Sequence, residues 1–501
     1  MDLFEEGKLA DGSSEGFVAL SALDGRYRKF TWPLIDYLSE AALNRYRIAV
    51  ELQYLIALSL GFGVQGFATE STPVIPGLPK FTNKQIDALL KIVADFDSES
   101  IQELARIESK TKHDVKAIEY YIAMKLEDLG IFSGEELGKV VKAIHIFCTS
   151  EDINNLSYAL CIKGAILKVI RPRIVNFMHA LEKIASPHIA TPMLARTHGQ
   201  PATPVTLGKE LSVFIHRLKR QLIALDQVDY LGKLNGATGT FGAHSVALPE
   251  VDWRKFAKHF VEKRLNLTYN PLTTQIESHD WEIELFSRLI HINGILHNAA
   301  TDIWLYISNE TFIQIPEHGA TGSSTMPHKI NPIKFENAEA NLEMSDAIFN
   351  KLNQTLVTTR MQRDLTDSSM QRNISCAFAH MLIALENLTS GIGQLDVNTT
   401  KLNQELENNP AVLGEAIQSV MRVAGILGYP NMENPYERLK EFSRGKTIAQ
   451  DDMNQFISEL ELPDDMKSRL LNLTPEKYIG LSEELAREAF EEAGYEAVSQ
   501  F

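Results

Sequence analysis

Cysteine is scarce in this chain. Only three of its 501 residues are cysteines, namely Cys148, Cys161 and Cys376. Three scattered thiols form neither a disulfide framework nor a metal-ligand spacing. They are typical of a protein from a reducing compartment, so we expect a cytoplasmic location.

Basic residues and long apolar runs are also in short supply. The chain has 49 Lys and Arg against 65 Asp and Glu, a net charge of -16. Nucleic-acid-binding proteins usually present a basic face, so the composition disfavours that class. The acidic, polar N-terminus lacks the basic start and apolar core of a signal peptide. No run of 18 apolar residues is present, so no membrane span is expected.

Alternating strand patterns are scarce too, which disfavours a β-rich fold. Helical periodicity dominates instead, and apolar residues follow one face along residues 137–147, 166–184 and 207–225. Ser133 and Glu136 form a capping box before the first of these stretches. The pattern predicts a chain built mainly from α-helices.

Prolines and glycines mark where these helices bend or continue. Pro172 predicts a kink in the second stretch, because proline cannot donate the backbone hydrogen bond of a helix. Residues 280–308 contain no proline and a single glycine, which predicts a helix over ~40 Å long. Residues 61–79 are rich in Gly, Pro, Thr and Ser and read as a loop.

The chain length and the helix lengths favour three helical regions around a long-helix bundle. We predict an N-terminal helical domain over residues 1–135. A central long-helix domain with the catalytic loop follows over 136–392, and a smaller helical domain over 393–501. Long helices with several apolar faces commonly continue into partner subunits.

The most informative segment is residues 322–332, GSSTMPHKINP. Gly322, the hydroxyls of Ser323 and Ser324, and Lys329 suit a loop that closes over an anionic substrate. A cation about 4 Å from a serine alkoxide supplies ~4 kcal/mol at an effective dielectric of 20, or roughly three pK units. Lys329 alone therefore cannot make serine a base at neutral pH, and backbone N–H donors must add to it.

A second segment, residues 196–204, reads RTHGQPATP. Its glycine and two prolines place His198 in a loop before the helix that starts near Leu207. Histidine titrates near neutral pH and can give a proton to a leaving nitrogen. A lone histidine is more often structural. A catalytic role for His198 becomes the better interpretation only because residues 322–332 are present in the same chain.

Three further segments concentrate hydroxyl, imidazole and guanidinium groups. Thr149 and Ser150 lie at a break between two helical stretches and could bind a carboxylate, although from this segment alone an ordinary helix cap is the better explanation. His113 and Asp114 lie among lysines, where a solvated helix face is the alternative. Arg26, Tyr27, Arg363 and Arg372 could clamp phosphate or carboxylate groups. In an acidic chain these segments indicate a locally positive pocket for a polyanionic small molecule.

Together these segments resemble those of the fumarase/aspartase superfamily and, within it, the bacterial-type adenylosuccinate lyase family. The resemblance runs from about residue 20 to about residue 481. Its most specific parts are residues 149–155, 196–204, 273–277, 322–332 and 363–373. Lys112 departs from the asparagine familiar at that position.

The resemblance implies an enzyme that releases fumarate by β-elimination. One expected reaction splits adenylosuccinate into AMP and fumarate, and the other splits the succinylated carboxamide ribotide SAICAR into AICAR and fumarate. Neither needs a metal or an organic cofactor. The family forms homotetramers around long helices, with each active site assembled from three subunits.

The resemblance also implies roles for individual residues. Ser323 would remove the proton from the succinyl Cβ, although the sequence leaves Ser324 open as the base. His198 would protonate the leaving nitrogen and Glu336 would orient His198. Lys329 and Asn331 would stabilise the charge that develops on the carbanion.

Substrate binding falls to a larger set of polar side chains. Those implied to hold the succinyl group are Thr149, Ser150, Gln275 and Ser324. Those implied to hold the nucleotide phosphate and its neighbours are Arg26, Tyr27, His113, Asp114, Arg363, Ser368 and Arg372, with Asn337 as a weaker candidate.

Two alternatives remain open from the sequence. Another fumarate-releasing lyase, such as an argininosuccinate lyase or an aspartase-like enzyme, shares the fold and a similar loop. A non-catalytic structural protein of the same superfamily is the alternative from another class. The presence of Ser323, His198, Lys329 and Glu336 disfavours the latter.

Overall fold

The computed structural model describes residues 20–61, 72–316, 329–444 and 448–491. Within these residues the chain is mainly α-helical, which confirms the predicted fold class. The strands in the same residues form three separate two-stranded sheets. These are β1 (Pro192–Thr197) with β2 (Gln200–Thr206), antiparallel; β3 (Leu231–Gly232) with β4 (Thr268–Tyr269), parallel; and β5 (Phe312–Gln314) with β6 (Leu395–Val397), antiparallel.

The helices vary from single turns to 29 residues. In chain order they are α1 (Arg28–Thr31), α2 (Ile35–Leu38), α3 (Glu40–Leu60), α4 (Asn83–Ala94), α5 (Ser98–Thr111), α6 (Asp114–Leu129), α7 (Gly134–Ala143), α8 (Ser150–Ala165), α9 (Arg171–Ala185), α10 (Leu207–Leu225) and α11 (Gly242–Ala247). They continue with α12 (Trp253–His259), α13 (Asp280–Ser308), α14 (Ile333–Leu356), α15 (Thr366–Gln371), α16 (Ile374–Ile392), α17 (Thr399–Glu407), α18 (Gly414–Ile426), α19 (Pro435–Ser443), α20 (Gln450–Glu459), α21 (Asp464–Leu471) and α22 (Ser482–Glu491).

Packing divides the chain into two compact units. Unit 1 comprises Met1–Arg173, Ile223–Asn293 and Asn341–Ile383, and unit 2 comprises Ile174–Leu222, Gly294–Ala340 and Ala384–Phe501. This division does not test the predicted domain boundaries at residues 135 and 392, which stay predictions.

A widened helical turn lies just before Pro172. Helix α8 passes into a π-helical turn, Ile166–Ile170, before α9 begins. The backbone N–H of Arg171 donates to the carbonyl of Ile166, five residues back. A π turn relieves the clash that a proline ring makes with the carbonyl four residues before it. The structure thus has a local change of helical pitch just before Pro172, and the kink itself stays a prediction.

The helix predicted over residues 280–308 is α13, which spans 29 residues or about 43 Å. Its Phe286 stacks on Phe349 of α14, with ring centroids 5.1 Å apart, and Phe378 of α16 packs edge-on against Phe349 at 5.4 Å. All three side chains are fully buried. This aromatic contact joins three helices of unit 1 in its core.

The predictions for shorter elements have mixed outcomes. The Ser133–Glu136 capping box is confirmed at the start of α7. The apolar face predicted to run to Phe147 is wrong beyond Ala143, where α7 ends. His145 and Phe147 adopt left-handed backbone angles, with φ of 56° and 66°, which interrupt the helix. Residues 72–79 contain neither helix nor strand, and residues 62–71 lie outside the described residues.

The described residues contain one helical stretch, Ser150–His188, that is long and apolar enough to cross a membrane by length and composition. Of its most apolar window, 61% is buried inside the protein. A buried helix of this kind is what a large core requires, and such core helices pass the same test as membrane spans.

We predict that Phe349→Ala lowers the free energy of unfolding by about 3–5 kcal/mol, because it leaves a cavity between Phe286 and Phe378. Urea denaturation of the purified protein measures this change. Lys351→Ala, an exposed position on the same helix, serves as the control and should stay within about 0.5 kcal/mol of wild type. A loss below about 1 kcal/mol for Phe349→Ala would contradict this packing.

Candidate active site

Thr149 and Ser150 lie at the N-terminus of α8, as the break in the sequence pattern predicts. Thr149 precedes the helix, and its backbone N–H donates to Oδ2 of Asp152 at 2.9 Å. The first N–H groups of a helix have no partner within it and attract anions. The start of α8 can therefore bind a carboxylate group beside the Thr149 and Ser150 hydroxyls.

Asp152 connects this helix end to a second segment of unit 1. Its Oδ1 accepts from the backbone N–H groups of Asn235 at 3.0 Å and Gly236 at 3.3 Å. The ammonium of Lys233 lies 3.0 Å from the same oxygen, and both side chains are completely buried. Four donors thus surround one buried carboxylate, which fixes the position of residues 233–236 against α8.

The fixed segment in turn positions Gln275. The side-chain amide of Gln275 donates to the carbonyl of Ala237 at 3.0 Å. Gly239 has a φ of 76°, and a Cβ there would lie 2.2 Å from the carbonyl oxygen of Thr273. Only glycine permits this approach. The glycine at position 239 therefore serves close backbone packing.

Arg363 is the cation that joins these elements. Its Nη1 donates to Oε1 of Gln275 at 3.4 Å and its Nη2 donates to Oγ of Ser368 at 3.0 Å. Nη2 also lies 3.3 Å from Oε2 of Glu151, the first acidic residue of α8. Gln275, Arg363 and Ser368, which the sequence predicts as binding residues, are therefore in contact within one chain.

A buried acidic network lies behind Arg363. Oδ2 of Asp367 is 3.9 Å from Nε of Arg363 and 3.6 Å from Nε2 of His279. Nδ1 of His279 lies 3.3 Å from Oε1 of Glu282, which also accepts from the amide of Gln371 at 2.9 Å. The network links α13 and α15 to the guanidinium group.

Burial and neighbouring charges shift the pKa values in this network. Burial raises the pKa of Glu151 to about 7, although Arg363 and His279 partly offset it. Burial disfavours the charged form of His279, but Glu282 and Asp367 outweigh it and raise its pKa well above the ordinary range. Burial also acts on Asp367, yet the neighbouring His279 ring and Arg363 guanidinium hold its pKa below the usual value.

A second polar cluster surrounds Asp114. Oδ2 of Asp114 accepts from Nη2 of the buried Arg47 at 2.8 Å, and Nη2 of Arg372 lies 3.9 Å from the same oxygen. Burial works to raise the pKa of Asp114, but Arg47 brings it below its ordinary value. The ring of His113 caps α6 by accepting from the backbone N–H of Lys116 at 3.1 Å. His113, Asp114 and Arg372 are thus brought together.

A pocket of about 320 Å³ opens beside this cluster. Arg372, Glu40 and the phenol-bearing Tyr37 and Tyr158 contribute to its walls, together with Asp24. Asp24 is two residues before Arg26, which is exposed. Its charged lining consists of one cation, Arg372, and two acidic side chains, Asp24 and Glu40.

His198 lies in unit 2 at the tip of a hairpin rather than in a plain loop. Thr197 pairs with Gln200, so His198 and Gly199 form the two-residue turn between β1 and β2. Their φ values are 52° and 74°, the positive angles that a type I′ hairpin turn requires. Pro201 and Pro204 obscure this hairpin in the sequence, but prolines are tolerated in a two-stranded ribbon with free edges. The turn presents the exposed imidazole of His198 to solvent.

The residues after the Ser323 loop lead into α14. Ser323 and Ser324 themselves lie outside the described residues. Lys329 is exposed and Asn331 is half-buried before the helix begins. Glu336 and the half-buried Asn337 are in the first turns of α14, and Oε1 of Glu336 accepts from the indole N–H of Trp304 at 3.2 Å. Within the described part of one chain, Glu336 makes no hydrogen bond or ion pair with His198, so the orienting role stays a prediction.

Sequence reasoning missed three residues that hold the candidate site together. Arg47, Glu151 and His279 are buried charged or titratable groups in contact with predicted binding residues. A signal for Arg47 was available, since a guanidinium inside the apolar helix α3 has to be paired. Nothing in the sequence distinguishes Glu151 or His279 from solvated helix residues. In the described residues, no group of three or more His, Cys, Asp and Glu side chains could hold a metal.

Known protein families and relatives match almost the whole length of this chain. The sequence model of the family described as "Lyase" matches residues 25–344, and that described as "Adenylosuccinate lyase C-terminal" matches residues 359–479. The adenylosuccinate lyase of Legionella pneumophila (strain Corby) is 43% identical over 469 residues, covering 94% of this chain and 98% of the relative. The chain belongs to the adenylosuccinate lyase family.

Other adenylosuccinate lyases give the same result. That of Haemophilus influenzae is 43% identical over 93% of this chain and 97% of its own length, and that of Escherichia coli K12 is 43% identical over 92% and 96%. Among solved structures, a fumarate lyase from Mesorhizobium sp. BNC1 superposes with a TM-score of 0.70 at 17% identity, covering 91% of this chain and 97% of its own. The 3-carboxy-cis,cis-muconate lactonizing enzyme of Pseudomonas putida reaches 0.64 at 19% identity, covering 92% and 96%. These structures support the fold.

We predict that Asp152→Asn lowers the free energy of unfolding by about 3–5 kcal/mol, because it leaves Lys233 buried without its counter-ion. Lys233→Met should cost less, since the Asp152 carboxylate keeps three backbone N–H donors. Urea denaturation of both variants gives the two values. An equal loss in both, or the reverse order, would show that the carboxylate does not organise this segment.

Proposed function

We propose that this member of the adenylosuccinate lyase family eliminates fumarate from two substrates. They are adenylosuccinate, which yields AMP, and SAICAR, which yields AICAR. The single observation that carries this proposal is the 43% identity to adenylosuccinate lyases over almost the full length of both chains. The contact of Arg363 with Gln275 and Ser368 supports it, because it places a guanidinium among polar groups suited to an anionic substrate.

The proposed chemistry is the removal of a proton from the succinyl Cβ followed by cleavage of the C–N bond. Ser323 acts as the base, and His198 gives a proton to the leaving nitrogen. The exposed hairpin turn supports the role of His198, since it presents the imidazole free of a burying environment. Lys329 and Asn331 stabilise the extra charge on the succinyl carboxylate during proton removal.

Binding of the succinyl group falls to the start of α8 and its neighbours. Thr149 and Ser150 offer hydroxyls beside free helix N–H groups, and Gln275 is held near them through Asp152 and Ala237. Ser324 completes this set in the loop that follows Gly322. Such a site satisfies a carboxylate by hydrogen bonds and by the helix dipole.

The cationic clusters of unit 1 bind the nucleotide phosphate and the groups next to it in the substrate. Arg363 with Ser368, and Arg372 with His113 and Asp114, provide those groups. Arg26 and Tyr27 lie close in sequence to Asp24, which lines the pocket beside Arg372. Asn337 of α14 is a weaker candidate for the same role. No metal or organic cofactor takes part in the proposed elimination.

We further propose that the protein is a cytoplasmic homotetramer whose active sites combine residues of three subunits. The long helices α13, α14 and α16 support this, because bundles of such helices commonly extend across subunits. The absence of a bond between His198 and Glu336 within one chain's described residues also fits a partner supplying one of them.

Product analysis tests the function directly. The purified protein is incubated separately with adenylosuccinate, SAICAR, argininosuccinate and aspartate, and fumarate and the co-product are quantified. We expect equimolar AMP and fumarate from the first substrate and AICAR and fumarate from the second. Fumarate from argininosuccinate or aspartate alone would assign the chain to the alternative lyases, and no fumarate from any of them would favour a non-catalytic role.

We predict that Ser323→Ala and His198→Ala each lower turnover of adenylosuccinate by at least about 100-fold, the low end for general acid–base catalysis. His179→Ala, which alters a partly exposed histidine of α9, is the control and should keep wild-type turnover. Ser324→Ala separates the two serines, since a base at Ser324 would reverse their order. Turnover near wild type in either of the first two variants would refute that residue's role.

Mixing inactive variants tests the shared site. We propose that His198 and Ser323 of one site come from different subunits, so mixed tetramers of His198→Ala and Ser323→Ala chains contain some sites with neither substitution. We expect a mixture unfolded and refolded together to regain measurable activity. Each variant treated alone is the control, and a mixture as inactive as both controls would argue for sites within one subunit.

A further inference from the structure

One guanidinium in unit 1 has both a polar and an acidic partner at the same nitrogen. Nη2 of Arg363 donates to Oγ of Ser368 at 3.0 Å and lies 3.3 Å from Oε2 of Glu151. Glu151 is only 3% exposed, whereas Ser368 is partly accessible. Arg363 therefore already has an anionic partner, which any incoming anion would have to share or replace.

The charges that face Glu151 come from every element packed against it. They are Arg363 before α15, Asp367 within α15, His279 before α13 and Lys233 after β3. Glu282 adds a carboxylate on the far side of His279. Lys233 is neutralised by Asp152, which leaves two cations, Arg363 and His279, beside the carboxylates of Glu151, Asp367 and Glu282. The buried carboxylate of Glu277 also lies against His279 and accepts from its backbone N–H at 2.9 Å.

A buried cluster with more carboxylates than cations is unfavourable, so one of its carboxyl groups readily holds a proton. Glu151, the carboxylate in contact with Arg363, meets this condition near neutral pH, since burial raises its pKa to about 7. Burial also acts on Asp367, but the neighbouring His279 and Arg363 hold its pKa low. A change in the charge near Arg363 will therefore alter the protonation of Glu151 before that of Asp367.

We propose that an anionic group of the substrate takes over the Arg363 guanidinium from Glu151, and that Glu151 takes up a proton from solvent as it does so. Glu151 is then a positioning residue that holds Arg363 in place in the free enzyme and becomes neutral when the phosphate arrives. This inference rests on the proposed function, in which Arg363 binds the nucleotide.

The size of the effect follows from electrostatics. A second anion about 4 Å from the Glu151 carboxylate destabilises its charge by ~4 kcal/mol at an effective dielectric of 20, or roughly three pK units. The free enzyme has Glu151 largely ionised at pH 8, so binding there takes up about one proton. At pH 6 Glu151 is already protonated before the ligand binds, and the uptake falls to about 0.1 proton.

The direction of the pH dependence follows from the same linkage. A group whose pKa rises on binding favours binding at low pH and weakens it as pH rises above the free-enzyme value. The dissociation constant of the nucleotide should therefore increase roughly eightfold between pH 7.5 and pH 8.5 in wild type. Glu151→Gln, which imitates the protonated carboxyl, should remove this increase.

Calorimetry of AMP binding at pH 8 in several buffers of different ionisation enthalpy measures the uptake. The pH is chosen because phosphate, with a pKa near 6, is then fully ionised before and after binding. We expect uptake of about one proton in wild type and in Glu135→Gln, an exposed first-turn glutamate of α7 that serves as the matched control. Glu151→Gln should still bind AMP, with uptake near zero.

The outcomes separate this inference from the proposed function. AMP binding with no proton uptake in wild type would overturn the inference and leave the function intact. The same holds if Glu151→Gln takes up as many protons as wild type, which would assign the proton to another group. If wild type fails to bind AMP at all, the proposed nucleotide site fails and the inference fails with it.

Discussion

The hydrogen-bonded carboxylate of Asp152 is the constraint on which the candidate site depends. One buried oxygen accepts from the N–H groups of Asn235 and Gly236 and lies against the ammonium of Lys233, while the other accepts from Thr149. The N-terminus of α8 and residues 233–236 are thereby held as one piece. The amide of Gln275 is hydrogen-bonded to that piece. The start of α8 and Gln275, more than a hundred residues apart in sequence, can therefore bind the same anion.

A second consequence concerns the placement of positive charge in an acidic protein. The net charge of -16 gives no hint of an anion site, yet Arg363 is held by the buried carboxylate of Glu151. Arg372 lies 3.9 Å from Asp114, which the buried Arg47 fixes in place. Pre-formed acidic partners keep the guanidinium groups oriented before a ligand is present, which lowers the cost of ordering them on binding. The same partners make binding sensitive to protonation, because a ligand anion and Glu151 compete for one cation.

Much of the fold could be predicted from the sequence because its signals are local. The uninterrupted apolar pattern of residues 280–308 gives α13, and the Ser133 capping box gives the start of α7. The hairpin around His198 could not be predicted, since Pro201 and Pro204 are typical of loops and the deciding feature is a two-residue turn with positive φ. Contacts such as Glu151 with Arg363 depend on tertiary packing between distant segments. The candidate residues themselves came from resemblance to a family, and local periodicity would not have singled them out.

A structure of the purified protein with AMP and fumarate bound tests the central claim most directly. The account predicts the phosphate within hydrogen-bonding distance of Arg363 and Ser368, with the guanidinium turned from Glu151. It predicts fumarate at the start of α8, in contact with Thr149, Ser150 and Gln275. Ligands bound elsewhere, or an Arg363 still paired with Glu151 and remote from the phosphate, would contradict it.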